Sequence, residues 1–178
     1  MSLIFFTCFA YLLSAIAYQD FRYRKISAWI LVCLWLTIVL SWFLSSASGI
    51  HNSFKNIAVN AGFILVLLSG VSVYFILTRG GFIKIMDNYI GWGDIIFLFI
   101  VSGLFSPVNF LLFCIVSFSA ALILFGIIQL LTPKNNREIP LAGILSVVLL
   151  LGLSLKYANG NFNLQEDSFF LNKLALLW

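Results

Sequence analysis

The fold of this chain turns on the sequence Gly91-Trp92-Gly93-Asp94, which leads directly into the apolar run Ile95-Ile96-Phe97-Leu98-Phe99-Ile100-Val101. A carboxylate at the start of such a run is costly, because a charge at membrane depth is unfavourable unless something pairs with it or uses it. The chain holds six acidic residues, and of the others only Asp20 also borders an apolar run, which it ends. Asp20 and Asp94 are therefore the candidate functional pair, with Asp87 as the alternative partner of Asp94.

The composition of the chain predicts an integral membrane protein. Of its 178 residues 62% are hydrophobic and 9% are charged, whereas soluble domains carry about 25% charged residues. The net charge of +4 lies in short loops between apolar runs, which argues against a nucleic-acid-binding protein. The three cysteines are isolated, without CxxC spacing or a neighbouring histidine, so we expect no disulfide framework, no metal site and no cofactor.

Apolar runs of membrane-spanning length predict an all-α fold, a bundle of six transmembrane helices. The predicted spans are Ser2–Gln19, Ala28–Ala47, Ile57–Thr78, Trp92–Phe105, Val108–Leu131 and Pro140–Leu155. Residues 1–155 then form one polytopic membrane domain. Residues 156–178 form a polar tail outside the membrane, in which Phe169–Leu174 predicts a short interfacial helix.

The positive charges orient the predicted bundle. Seven lysines and arginines fall in the loops after the first, third and fifth spans, and three fall on the other side. Under the positive-inside rule those three loops are cytoplasmic and both termini lie outside. Asp20 and Asp94 are then both at cytoplasmic helix ends.

The fourth span is short, and this places Asp94 in depth. The twelve residues from Asp94 to Phe105 rise roughly 18 Å as a helix, in a hydrocarbon core about 30 Å thick. Asp94 should therefore lie below the cytoplasmic membrane surface. Two carboxylates that meet there would share one proton, so one could activate water while the other protonates a carbonyl or a leaving amine. Gly91 and Gly93 lack Cβ atoms and would let an extended backbone approach.

Three segments together carry a family resemblance: Asp20-Phe21-Arg22-Tyr23-Arg24-Lys25-Ile26, Gly91-Trp92-Gly93-Asp94 and Ile139-Pro140-Leu141-Ala142-Gly143. They resemble the type IV prepilin peptidases, GxGD-type aspartyl proteases of the bacterial inner membrane, over roughly residues 10 to 150. The resemblance implies that Asp20 and Asp94 are catalytic and that Arg22, Gly91, Gly93 and Pro140 support the site or bind substrate. It also implies a prepilin-like or pseudopilin membrane protein as substrate, cut at its leader on the cytoplasmic face.

The chain departs from that family in two positions and one segment. Ser27 stands where a proline is usual, and Ile96 stands where a lysine usually follows the GxGD aspartate. The CxxC-bearing insert of longer members, which is associated with N-methylation, has no counterpart. The resemblance therefore implies cleavage without a recognisable methyltransferase portion.

Other functions remain open on the sequence. A small transporter or channel subunit would use the two aspartates to relay protons or bind a cation. A non-catalytic homologue would hold a prepilin or a pilus-assembly partner, an interpretation favoured by Ile96. A general GxGD intramembrane protease would cut other helices, and a purely structural aspartate would hydrogen-bond between helices.

Overall fold

The computed structural model describes residues 3–43, 47–79, 91–131 and 140–159, which form six α-helices and no strand. The helices are α1 (Leu3–Tyr23), α2 (Ala28–Phe43), α3 (Ala47–Arg79), α4 (Trp92–Ser102), α5 (Pro107–Leu131) and α6 (Leu141–Asn159). The all-α prediction is thereby confirmed for these residues. Asp87, the loop around it and the predicted interfacial segment Phe169–Leu174 lie outside the described residues.

Three of the helices are long and apolar enough to cross a membrane: Leu3–Tyr23, Ser53–Thr78 and Pro107–Leu130. Three shorter apolar helices accompany them: Ala28–Phe43, Trp92–Ser102 and Leu141–Leu155. Large apolar side chains also cover much of the outer surface, with Leu130 85% and Leu77 79% exposed. Helices that are apolar on their outer faces as well as in the core are typical of proteins surrounded by lipid. Membrane association follows, whereas six crossings and external termini stay predictions.

Several helix boundaries differ from the predicted spans, and three of these differences have a local explanation. Helix α3 begins at Ala47, ten residues before Ile57, because polar residues interrupt hydropathy without interrupting backbone hydrogen bonds. Helix α1 continues past Gln19 to Tyr23, so Asp20 lies inside its last turns. Helix α4 ends at Ser102, since the amides of Gly103 and Leu104 bond three residues back and tighten the chain into a turn.

The largest helix interface joins α1 to α6. Buried apolar side chains of α1, among them Phe9, Leu13 and Ile16, belong to the same core cluster as Leu145 and Leu149 of α6. At the far end of this interface the rings of Phe6 and Tyr157 stack with centroids 4.7 Å apart. Helices α1 and α6 therefore run antiparallel, with the end of α1 beside the beginning of α6.

The short helix α4 lies inside the bundle and contacts α2, α3 and α6. Phe97 and Val101 are completely buried on it. At its carboxyl end the side-chain amide of Asn60 donates to the carbonyl oxygens of Ser102 (2.9 Å) and Phe105 (3.0 Å). Asn60 is 1% exposed, so a buried amide from α3 satisfies the Ser102 carbonyl at the end of α4 and the Phe105 carbonyl in the turn that follows.

Candidate active site

Asp20 is positioned by the way α1 ends. The Asp20 carbonyl oxygen accepts a hydrogen bond from the Arg24 amide at 3.0 Å. Arg24 adopts a left-handed backbone conformation with φ 52°, which closes the helix as glycine more commonly does. The helix therefore ends at Tyr23, three residues after Asp20, and leaves the Asp20 carboxylate close to the end of the bundle.

The turn between α1 and α2 is held by a side chain from α1. The Oε1 atom of Gln19 accepts a hydrogen bond from the Ser27 amide at 2.9 Å. The Ser27 carbonyl in turn accepts from the amides of Ile30 and Leu31, at 3.1 and 3.5 Å, and so begins α2. The Ser27 N–H group therefore serves as a hydrogen-bond donor that holds the turn, and a proline at this position would lack it.

Asp94 lies in the first turn of α4, three residues after the N-cap residue Gly91. The Asp94 amide donates to the Gly91 carbonyl at 3.0 Å. The Gly91 amide interacts with the Asp94 carboxylate in return. An acidic side chain that reaches back to the N-cap amide is the reciprocal arrangement of a capping box. The GxGD sequence thus builds its own helix start and turns the carboxylate toward the end of the helix.

The two carboxylates meet at the amino-terminal end of α6. The Ala142 amide donates to Oδ1 of Asp94 at 3.0 Å, and the Gly143 amide donates to Oδ2 of Asp20 at 2.6 Å. Consecutive peptide nitrogens in a helix lie about 3 Å apart, so these two carboxylate oxygens are at most roughly 9 Å from each other. Acids from α1 and α4, distant in sequence, therefore face one region at a single end of the bundle.

The surroundings of the two acids combine burial with a favourable helix terminus. Asp20 is 6% exposed, and Asp94 is only partly buried. The free amides and the dipole at the beginning of α6 stabilise negative charge there. The two carboxylates also repel each other, which favours a shared proton over a doubly ionised pair. The partly buried Asp94 is the more accessible member.

Each glycine of the GxGD sequence has one close neighbour at the position that a Cβ atom would take. A Cβ atom on Gly93 would lie 3.3 Å from Cδ1 of Ile26, in the α1–α2 turn. A Cβ atom on Gly91 would lie 3.3 Å from Oδ2 of Asp94 itself. The missing side chain of Gly93 therefore lets the α1–α2 turn pack closely, and that of Gly91 lets the Asp94 carboxylate approach the start of α4. Both glycines thus support the site.

Arg22 does not join the two acids. Two residues on a helix are separated by about 200° around its axis, so Arg22 lies on the opposite side of α1 from Asp20. There it donates to the Tyr18 hydroxyl at 3.0 Å and sits 5.8 and 5.6 Å from the ring centroids of Tyr18 and Tyr23. Arg24 is the cation whose charge acts on the Asp20 carboxylate.

Pro140 and Ile96 have clear positions near the site. The Pro140 carbonyl accepts the Ile144 amide at 3.2 Å, which places Pro140 at the N-cap position immediately before α6. Ile96 is 45% exposed, and its spacing of two residues from Asp94 puts it on the other side of α4. The isoleucine that replaces the usual lysine is therefore part of the outer apolar surface.

The sequence did not identify the two backbone amides of Ala142 and Gly143 as site groups. Every residue except proline carries such a donor, so the residue type does not indicate which backbone amides will bind a carboxylate. The available signal was a proline followed by small residues at a predicted helix start, since Pro140 marks the first turn and its free amides.

Within residues 3–43, 47–79, 91–131 and 140–159, no group of three or more His, Cys, Asp or Glu residues could hold a metal ion. No family model, no curated protein and no solved structure matches this chain.

Proposed function

We propose that this protein is a membrane aspartyl endopeptidase that cleaves prepilin-like or pseudopilin substrates with the pair Asp20 and Asp94. The observation that carries the proposal is the convergence of both carboxylates on consecutive amides of α6. A separation of at most roughly 9 Å keeps both carboxylates close enough to act on one shared water molecule and one peptide carbonyl.

The chemistry requires no group beyond the two acids and water. An ionised carboxylate takes a proton from water as the water oxygen attacks the peptide carbonyl carbon, and the protonated partner donates to the carbonyl oxygen. Collapse of the tetrahedral intermediate breaks the carbon–nitrogen bond as the leaving nitrogen takes up a proton. The pair then returns to its shared-proton state, which is the division of roles seen in carboxylate pairs of unequal proton affinity.

The substrate class and the orientation in the membrane rest on the sequence resemblance and on the charge distribution. The α1–α2 turn, which contains Arg24 and Lys25, lies at the same end of the bundle as the two acids. Lys55 lies toward the opposite end, five residues before the Asn60 that contacts the carboxyl end of α4. Under the positive-inside rule the acids then face the cytoplasm of a bacterial inner membrane, where a prepilin leader is located.

Purified protein in detergent, incubated with a prepilin-like peptide, tests the proposal. We expect one cleavage between the basic leader and the apolar segment, abolished separately by Asp20→Asn and Asp94→Asn. Asp87→Asn serves as the matched control and should retain activity. Loss of cleavage with Asp87→Asn but not with Asp20→Asn would show that Asp87, and not Asp20, is the partner of Asp94.

A second assay separates the protease from the alternative membrane functions. The same protein in liposomes should show no aspartate-dependent proton or cation flux. Flux that Asp20→Asn abolishes, without any peptide product, would support a transporter instead. Binding of a prepilin-like peptide without cleavage would support a non-catalytic assembly subunit.

A further inference from the structure

Gly143 is the residue of α6 closest to Asp20. Its amide donates to Oδ2 of Asp20 at 2.6 Å. A Cβ atom built on Gly143 would lie 3.1 Å from the same oxygen and 3.1 and 3.2 Å from two ring carbons of Phe21. Contacts this short require the neighbouring atoms to move by a few tenths of an ångström. The missing side chain of Gly143 is therefore what allows the carboxylate of Asp20 to approach the helix axis closely enough to bind its amide.

We propose that Gly143 is a positioning residue that sets the place of the Asp20 carboxylate relative to that of Asp94. One carboxylate is bound by the Gly143 amide and the other by the amide immediately before it. Because both residues lie in the first turn of α6, the regular helical backbone sets the distance between these two donors. Helix α6 then acts as a template that sets the separation of the two acids. A side chain at residue 143 would displace the Asp20 carboxylate and leave the bond between Asp94 and the Ala142 amide in place.

The surroundings of Gly143 keep this template in place. The Ser146 hydroxyl donates to the Gly143 carbonyl at 2.7 Å, and Ser146 is fully buried. Ala142 and Leu145 on either side are fully buried as well. Helix α6 is thus fixed on its core-facing side, and Asp20 together with Phe21 would have to give way to an added methyl group. Gly152, on the same helix, has no neighbouring atom within 4 Å of where a Cβ atom would lie and provides the matched control.

A stability cycle tests the contact without using catalysis. Gly143→Ala should lower the unfolding temperature in detergent, and the decrease should shrink by about half or more in an Asp20→Ala background, because interacting positions are not additive. The same cycle with Phe21→Ala separates the contribution of the ring. Gly152→Ala should leave the unfolding temperature unchanged or slightly raise it, by the same amount in every background. Equal decreases for Gly143→Ala with and without Asp20 would overturn the assignment.

The cycle remains informative if Gly143→Ala does not fold on its own. Folding should then be restored in the double variant Gly143→Ala/Asp20→Ala, in which the oxygen that meets the methyl group is absent. A double variant that also fails to fold, while Asp20→Ala alone folds, would contradict the proposal.

The catalytic consequence rests on the proposed function and has its own measurement. With a prepilin-like peptide, Gly143→Ala should lower kcat about tenfold or more with KM unchanged, because a displaced catalytic group affects the chemical step more than binding. Gly152→Ala should leave both constants unchanged. A wild-type kcat in Gly143→Ala would remove Gly143 from the positioning role. Absence of cleavage by the wild-type protein would count against the proposed function alone, since the stability cycle is independent of it.

Discussion

The two ends of α4 are both joined to other helices by buried polar groups, but the groups differ in kind. At the carboxyl end, the neutral amide of Asn60 donates to two carbonyl oxygens. At the amino end, two acids from different helices accept from two amides of α6. A neutral amide in this setting stabilises the fold but does not act as an acid or a base. Paired acids can do the same and also transfer protons, so the difference separates a structural contact from a candidate catalytic one.

The largest expected effect tests this difference through activity. Asp94→Asn should reduce peptide cleavage by about a thousandfold, because general acid–base catalysis is lost. The unfolding free energy should change by less than about 1 kcal/mol, since the side-chain oxygen of asparagine still accepts the Ala142 amide. Peptide cleavage and detergent unfolding should be measured on the same preparation. Retained cleavage would show that the contacts at the amino end of α4 are structural, like those at its carboxyl end.

The next effect should appear in stability rather than in activity. Asn60→Leu removes the donor of two buried carbonyl groups and should cost about 3 kcal/mol in unfolding free energy. Cleavage per folded molecule should stay at the wild-type level, because the contact is at the opposite end of α4. Ser69→Ala is the control on the same helix, as the Ser69 hydroxyl bonds only within α3. Loss of catalysis in folded Asn60→Leu would show that the two ends are coupled.

A third variant tests how closely the carboxyl end of α4 is packed. A Cβ atom on Gly103 would lie 2.7 Å from Cζ2 of Trp42, and Gly103→Ala should cost about 2 kcal/mol because the added methyl group overpacks the core. Gly126→Ala, where nothing lies within 4 Å, should be neutral or slightly stabilising. Thermal unfolding of both variants measures the difference. Equal stabilities would mean that Trp42 moves aside easily.

The smallest effect concerns the turn beside the acids. Gln19→Ala should cost about 1 kcal/mol by removing the acceptor of the Ser27 amide. Ser27→Pro, which introduces the residue usual in the resembling family, should destabilise the wild-type protein more than the Gln19→Ala variant. Ser14→Ala, whose hydroxyl bonds within α1, is the control. Additive effects of Gln19→Ala and Ser27→Pro would exclude a coupling between these residues.

Much of the helical fold could be predicted from apolar runs and from the residues that begin helices. The start of α4 at Trp92 and its short length were both predicted from the apolar run, although the helix ends at Ser102, three residues before the predicted Phe105. The early start of α3 could not be predicted from hydropathy, because its first ten residues are polar enough to suggest a loop.

The two acids of the candidate site could be predicted from the sequence, but the backbone amides that bind them could not. A carboxylate next to an apolar run is conspicuous, so Asp20 and Asp94 could be singled out, and the structure brings them together. Their catalytic role stays a prediction. The opposite placement of Arg22 was available from helical periodicity alone, since two residues correspond to more than half a turn. The amides of Ala142 and Gly143 carry no such mark.

Because α4 is tethered at each end, it cannot slide along its axis or swing outward without losing a hydrogen bond at Asn60 or at Ala142. A displacement of the amino-terminal end of α6 would break both acid–amide bonds together, whereas a displacement of α1 would release Asp20 alone. A change of bilayer thickness or detergent that shifts α6 would therefore act on both acids together.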